Sequence, residues 1–247
     1  MPTVEHPDGS QTPDVSFVIP CYNEQDLIGY TIPKLADAFA AAGHDLEIIA
    51  VENGSTDDTG RILDDLADAH RRIVVHRVVQ NRGYGAGVLE GLPRATAPWV
   101  GIIPADGQVD AEDVVRLYEA VSQSHGNVLG KVRRRFRLDG FRRKVVSVGY
   151  NLFVRLLWPR LRSLDINGSP KLMPREVVAA MDLRSEGWLL DPEIMIKAHY
   201  MGVDVLEVNV FSRMRGNGVS HVRPVTVWEF FTYLLHFRFS PKWRRAF

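Results

Sequence analysis

Residues 15–20, "VSFVIP", form an unbroken apolar, β-branched run, the pattern of a strand covered on both faces. The same pattern returns at "LEIIAV" (46–51), "IVVHRV" (73–78), about 98–103 around "WVGII", and "NVLGKV" (127–132). Between these runs the apolar spacing changes to that of helices. One is predicted from about Glu24 to Ala42, with Pro33 as a point for a kink. A second starts in "NGSTDDT", where Ser55 or Thr56 is placed to cap, and runs to about His70. A third opens at "NRGYGAG" and ends near Ala95, and a fourth begins at Asp110 in "DAEDVVRLYEAVSQ". Strands and helices alternating at this spacing predict an α/β domain whose central sheet is mostly parallel, with helices on both faces.

After residue 132 the alternation loosens. A basic loop is expected first, then an amphipathic helix from about Arg143 to Trp158. "SPKLMP" reads as a short strand, "EVVAAM" as a short helix and "GWLLDPEIMIKAHYMG" as a helix. Asp191 precedes Pro192 there, as an N-cap precedes N1. "VDVLEVNV" is the last strand. The organisation expected is a polar, Pro-rich, disordered lead-in over 1–14, one domain over 15–222, and an aromatic, basic, amphipathic helix over 223–247.

Composition adds exclusions. The chain has 247 residues, 45% hydrophobic and 24% charged, and a formal net charge of zero, which gives no reason to expect nucleic acid. Its single cysteine, Cys21, permits no intrachain disulfide and fits a reducing compartment. The first residues lack the apolar core of a signal peptide. Asn151 and Arg155 interrupt one long apolar stretch, and Glu229, His236 and Arg238 another, so neither qualifies as a span of roughly 20 apolar residues. Charge is unevenly placed. Eight carboxylates and one Arg lie between Asp45 and Asp68, whereas Lys131–Lys144 holds eight basic residues and one acid.

Ligands of open α/β sheets bind beyond the carboxyl ends of the strands. Here those ends read "PCYNE", "VENGSTDD", "NRGYGAG" and "PADGQ", four clusters of small, polar or acidic residues that should converge on one crevice. Each has an ordinary reading as well. Gly83, Gly85 and Gly87 also suit close helix–sheet packing, and a dinucleotide loop would follow the first strand rather than the third.

Taken together, "VSFVIPCYNE", "VENGSTDDT", "NRGYGAG" and "PADGQ" resemble the family 2 glycosyltransferases. The nearest likeness is to the dolichyl- and polyprenyl-phosphate sugar synthases, dolichol-phosphate mannosyltransferase among them. The resemblance continues through "DINGSPKLMPREV", "LLDPEIMIKA" and "SRMRGNGVSH", covering about 15–222. It implies the GT-A nucleotide-diphospho-sugar transferase fold. It also implies an inverting enzyme that moves a hexose from GDP-mannose or UDP-glucose to a polyprenyl or dolichyl phosphate.

By the same resemblance Pro20, Tyr22 and Glu24 line the nucleotide, with Gly83 and Ala105 also on the donor side. Glu52 and Asn53 stand where two Asp residues are usual. Asp106 and Gln108 would hold Mg²⁺ or Mn²⁺, with Pro104 in place of a further Asp. A divalent cation would stabilise the charge of the departing diphosphate. Arg213, Arg215 and His221 match a phosphate-binding stretch, joined on the acceptor side by Lys171 and by Arg133 in a mobile basic lid. Asp191 and Glu193 would face the sugar or the acceptor, and with Asp106 and Arg215 they complete the catalytic set. A phosphomonoester is mostly a dianion at neutral pH and needs no base, only cations to hold it.

A lipid acceptor implies peripheral attachment to the cytoplasmic membrane face, with or without a separate membrane-spanning partner. The aromatic tail suits this. Two alternatives share the fold: transfer to a saccharide or small-molecule hydroxyl, and a non-catalytic nucleotide-sugar-binding homologue.

Overall fold

The structure, a computed structural model, describes residues 12–124, 126–137, 149, 151–161, 163 and 165–212, and near the carboxyl terminus 232, 234–235 and 237–239. Seven strands form one sheet: β1 (Val15–Cys21), β2 (Leu46–Glu52), β3 (Ile73–Arg77), β4 (Trp99–Ile102), β5 (Val128–Arg137), β6 (Lys171–Pro174) and β7 (Asp204–Ser212). The helices are α1 (Gln25–Ala41), α2 (Thr59–Ala69), α3 (Tyr84–Gly91), α4 (Ala111–Ser122), α5 (Arg175–Met181) and α6 (Leu190–Tyr200), with a 3-10 turn at Leu92–Arg94.

The sheet order is β3-β2-β1-β4-β6-β5-β7. Parallel pairing joins β1 to β2 and β4, β2 to β3, and β5 to β7. β6 alone runs against its neighbours β4 and β5. Every residue of β1 and β2 is buried, as strands covered on both faces require, including Ser16, which donates to Glu47 (2.5 Å). β3 lies at the edge, and its Val74 is exposed.

Side chains alternate between two cores, one on each face of the sheet. Phe17, Ile19, Ile48 and Ala50 point to one, where α1 sends the stripe Ile28, Ile32, Leu35 and Phe39 and α4 sends Val114, Leu117 and Val121. Phe17, Phe39 and Tyr118 pack ring against ring there, with centroids 5.8 Å apart in both pairs. Gly101 of β4 makes room for this cluster, because a Cβ there would run into the Phe17 ring. Val18, Ile49 and Val51 face the other core, built from α3, α5 and α6 together with Val154, Trp158, Leu161, Leu234 and Phe237.

Several sequence expectations need correction. α1 continues through Pro33, which deprives the Gly29 carbonyl of an intrahelical donor. α2 begins at Thr59, so Ser55 and Thr56 precede it as loop braces rather than caps. β5 continues to Arg137 beside β7, with a register shift between Arg134 and Phe136. Arg133, in register with Asn209, therefore stands in the sheet and not in a lid. α6 begins at Leu190, which places Asp191 in its first turn, not at its N-cap.

Candidate active site

The strand order reverses between β1 and β4: the chain moves outward from β1 to β2 and β3, then returns to β1's other side. Such a switch point opens a crevice at the carboxyl ends of the two strands. The β1 end leads into Tyr22, Asn23 and Glu24, and the β4 end into Ala105, Asp106 and Gln108. Antiparallel β6 starts at the same end, since its first residue, Lys171, pairs with Ile102.

The β1 loop is braced by the β2 loop. Asn23 adopts φ 52°, a conformation Asn tolerates, and its Oδ1 accepts the Thr56 N–H (2.8 Å). Glu24 N–H donates to Thr59 Oγ1 (2.9 Å). Asp57 accepts the N–H groups of Thr59 (3.0 Å) and Gln25 (3.3 Å). Burial opposes its charge, but those hydrogen bonds prevail and hold its pKa below the usual carboxylate value.

Glu52 is buried, accepts the Ser55 N–H (2.6 Å) and lies 3.9 Å from Arg77. Asn53, 2% exposed, donates through Nδ2 to the Gly83 carbonyl (3.1 Å) and to Asn81 Oδ1 (3.4 Å). Asn81 Oδ1 also accepts the Gly83 N–H (2.7 Å), so this amide pair ties the β3–α3 loop to the end of β2. Pro20 is buried, and a Cβ on Gly87 would come within 3.1 Å of it.

Asp106 is half-buried and its Oδ1 accepts the Gln108 N–H (3.2 Å) across Gly107. Gly107 has φ +60°, and a Cβ there would stand 2.7 Å from Thr31 of α1. Both facts call for glycine. Lys34 of α1 reaches Asp110 (3.4 Å), at the head of α4, from the same helix. The loop bearing Asp106 and Gln108 is thus held from behind by α1.

The far side of the crevice holds three buried lysines. Lys171, with no exposed surface, pairs with Asp191. Lys131, its neighbour across β5 and β6, donates to Ser163 Oγ (3.3 Å), the Asp165 carbonyl and Glu207 (3.3 Å). Burial first, then the Lys171 charge, pulls its pKa down to about 8, against Asp165 and Glu207. Lys197 pairs with Glu193 (2.8 Å) and donates to the Asp182 carbonyl (2.6 Å). Glu193, 1% exposed, also accepts the backbone N–H groups of Arg184 (3.1 Å) and Ser185 (2.7 Å). Its position is that of an anchor for the loop ahead of α6.

That loop leans on α3. The Glu186 carbonyl accepts the Ala86 N–H (2.7 Å), and Trp188 stacks on Tyr84, with centroids 5.5 Å apart and planes 7° from parallel. Burial, then the charges of Asp191 and Asp106, raises the Tyr84 pKa well above its ordinary value. Both carboxylates thus lie near enough to this buried phenol to act on it, while the neighbouring Ser169 hydroxyl works the other way. Lys131, Tyr84 and Trp188 were not picked out from sequence. A lysine within the apolar run "NVLGKV" was the one visible signal among them. Cys21 is buried and its thiol pKa is raised, by burial first, which leaves it inert. Arg213, Arg215 and His221 lie outside the described residues.

Among the described residues no group of three or more His, Cys, Asp or Glu could hold a metal. One carboxylate with an amide two residues on is instead a donor set for a hard cation that takes its other oxygens from phosphate and water. Asp106 and Gln108 fit that description.

A family model for glycosyl transferase family 2 matches residues 16–180. An undecaprenyl-phosphate 4-deoxy-4-formamido-L-arabinose transferase of Klebsiella pneumoniae is 34% identical over 143 residues, 57% of this chain and 43% of that one. A dolichol-phosphate mannosyltransferase of Pyrococcus furiosus is 27% identical over 237 residues, 93% of this chain and 64% of its own length. The chain thus spans less than two thirds of either relative. Among solved structures, glucosyl-3-phosphoglycerate synthase of Mycobacterium tuberculosis with UDP superposes at a TM-score of 0.69. It has 21% identity and covers 92% of this chain and 80% of that one. The same enzyme has been solved with Mn²⁺, UDP and phosphoglyceric acid, at a TM-score of 0.68 and 22% identity, covering 92% and 78% of the two chains. At such identity the likeness is one of fold, and with the single antiparallel strand in the sheet it makes this a GT-A domain. On the family match over most of its length, the chain belongs to glycosyl transferase family 2.

Proposed function

We propose that this chain is an inverting glycosyltransferase that moves a hexose from a nucleotide-diphosphate sugar, GDP-mannose or UDP-glucose, to a polyprenyl or dolichyl phosphate at the cytoplasmic membrane face. The observation that carries the reading is that the buried Lys171–Asp191 pair stands at the carboxyl end of β4, where Lys171 pairs with Ile102 and the chain leads on into Asp106. The lipid acceptor is supported by the names of the two relatives.

In this reading Tyr22, Glu24 and Glu52 border the nucleotide, and Asp106 with Gln108 holds Mg²⁺ or Mn²⁺. The cation supplies charge stabilisation to the departing diphosphate. An acceptor phosphate attacks without a base, whereas a hydroxyl acceptor needs one. Asp191 is paired with a buried lysine and Glu193 receives several donors, so neither is placed as a base. This favours phosphate over hydroxyl. Arg213 and Arg215 are assigned to the acceptor phosphate on sequence alone.

No described helix is long and apolar enough to cross a membrane. Peripheral attachment is supported by exposed Leu152 and Leu156, one turn apart, and by exposed Leu235 and Phe239, spaced likewise near the carboxyl terminus. The test is incubation with a panel of nucleotide sugars, Mg²⁺ and a short-chain polyprenyl phosphate. One sugar should appear on the lipid phosphate, and Asp106→Asn should lower kcat about 100-fold or more. Transfer to a sugar hydroxyl instead would replace the acceptor reading, and binding without any transfer would favour the non-catalytic homologue.

A further inference from the structure

The Tyr84 hydroxyl is buried with no partner at full hydrogen-bond distance; the Ser169 hydroxyl beside it donates to the Ile102 carbonyl (3.3 Å). Burying such a group unpaired is unfavourable, and natural proteins seldom keep one without a use. Everything around the ring serves to fix it. Trp188 covers one of its faces in a parallel stack. Gly83, with φ +111°, turns the chain into α3 immediately before it, and a side chain there would press on the Glu186 carbonyl at 2.8 Å. Gly85, just after it, lies so close to the Ser185 carbonyl that any Cβ would overlap it. The Ser185 hydroxyl is likewise buried without a partner, so two orphaned hydroxyls flank this turn. The ring cannot swing out to water without dismantling the 185–188 contact. The fixed hydroxyl stands where both Asp106 and Asp191 act on it.

We infer that Tyr84 is a donor-sugar residue: its hydroxyl hydrogen-bonds a hydroxyl of the hexose being transferred, and the partly exposed indole of Trp188 walls the same subsite. This rests on the proposed nucleotide-sugar donor and deepens it. The Asp106 loop and the Lys171–Asp191 pair both stand at the carboxyl end of β4, where the proposed donor's hexose would sit. A phenol suits the place because it can both give and accept a hydrogen bond, and its ordinary pKa near 10 keeps it neutral. A sugar hydroxyl would give it a partner at full hydrogen-bond distance.

Tyr84→Phe keeps the stack and removes only the oxygen. Binding is measured with whichever of GDP-mannose and UDP-glucose the wild type takes, alongside its nucleoside diphosphate. The variant should bind the nucleotide sugar about 3- to 10-fold more weakly and the nucleoside diphosphate as before, because only the sugar contact is lost. Its thermal midpoint should be unchanged or higher, since an unpaired buried hydroxyl has gone. Trp188→Phe should abolish the change in tryptophan emission that the nucleotide sugar causes. An unaltered affinity ratio in Tyr84→Phe, equal loss for both ligands, or no binding of either sugar nucleotide by the wild type would overturn the inference. Because binding needs no acceptor, a normal Tyr84→Phe effect without transfer to polyprenyl phosphate would instead locate the failure in the proposed acceptor.

Discussion

Asn53 donates from Nδ2 to two oxygens, those of Gly83 and Asn81; a carboxylate there would meet both as a third acceptor. The amide at 53, which looks from sequence like a weakened acid, belongs in this structure to the loop that aims Tyr84. Lys131 is the opposite case, a charge placed inside the sheet. Its pKa falls to about 8 from the ordinary 10.5. Below pH 8 folded and unfolded chains both carry the proton, and the burial penalty applies in full. Between about 8 and 10.5 the unfolded chain binds more protons, so stability from this group rises with pH. The rise should be on the order of 3 kcal/mol. Chemical denaturation across pH 7–11 should show a shallower slope in Lys131→Met than in the wild type.

α6 is tied to the preceding loop through three partners of one residue. Glu193 binds Lys197 one turn on, and holds the backbone of Arg184 and Ser185. Removing it leaves Lys197 buried without its carboxylate. Breaking a buried pair from one side costs about 3–5 kcal/mol. Glu193→Ala should therefore lower stability by that order and speed amide exchange at 184–188 and 84–87 together, because the two segments share the Glu186–Ala86 hydrogen bond. Exchange confined to α6 would mean that the loop does not depend on it. "LLDPE" reads in sequence as catalytic acids or a helix cap. Glu193 is buried and holds Lys197 and the 184–185 backbone, and neither feature can be seen from spacing. The strand-end motifs were legible because each is local: a turn, a glycine, a carboxylate within a few residues. Tyr84 and Trp188 lie 104 positions apart and meet only because α3 and the loop ahead of α6 cover the same face.

Across the molecule, two segments that pack into the second core also expose large apolar side chains. Leu152 is 66% exposed, Leu156 76%, Leu235 41% and Phe239 69%, while their neighbours Val154, Trp158, Leu234 and Phe237 help fill the second core. Each segment is apolar on both its inner and outer sides, and exposed Arg155 and Arg160 accompany the first. That combination suits an interface with anionic headgroups. Replacing the four exposed residues with Ser should remove co-sedimentation with vesicles containing phosphatidylglycerol and leave the thermal midpoint unchanged. Retained vesicle binding would assign that surface elsewhere.

The order of strands and helices, the apolar face of each and the four polar strand ends could all be read from the chain, because periodicity reports how an element meets the core. Which elements become neighbours could not. β6 enters antiparallel between β4 and β5, carries Lys171 to the end of β4 and sets it beside Lys131. That placement depends on pairing between segments tens of residues apart, where local pattern is silent. It brings Lys131, Lys171 and its partner Asp191 to the end of β4 that leads into Asp106.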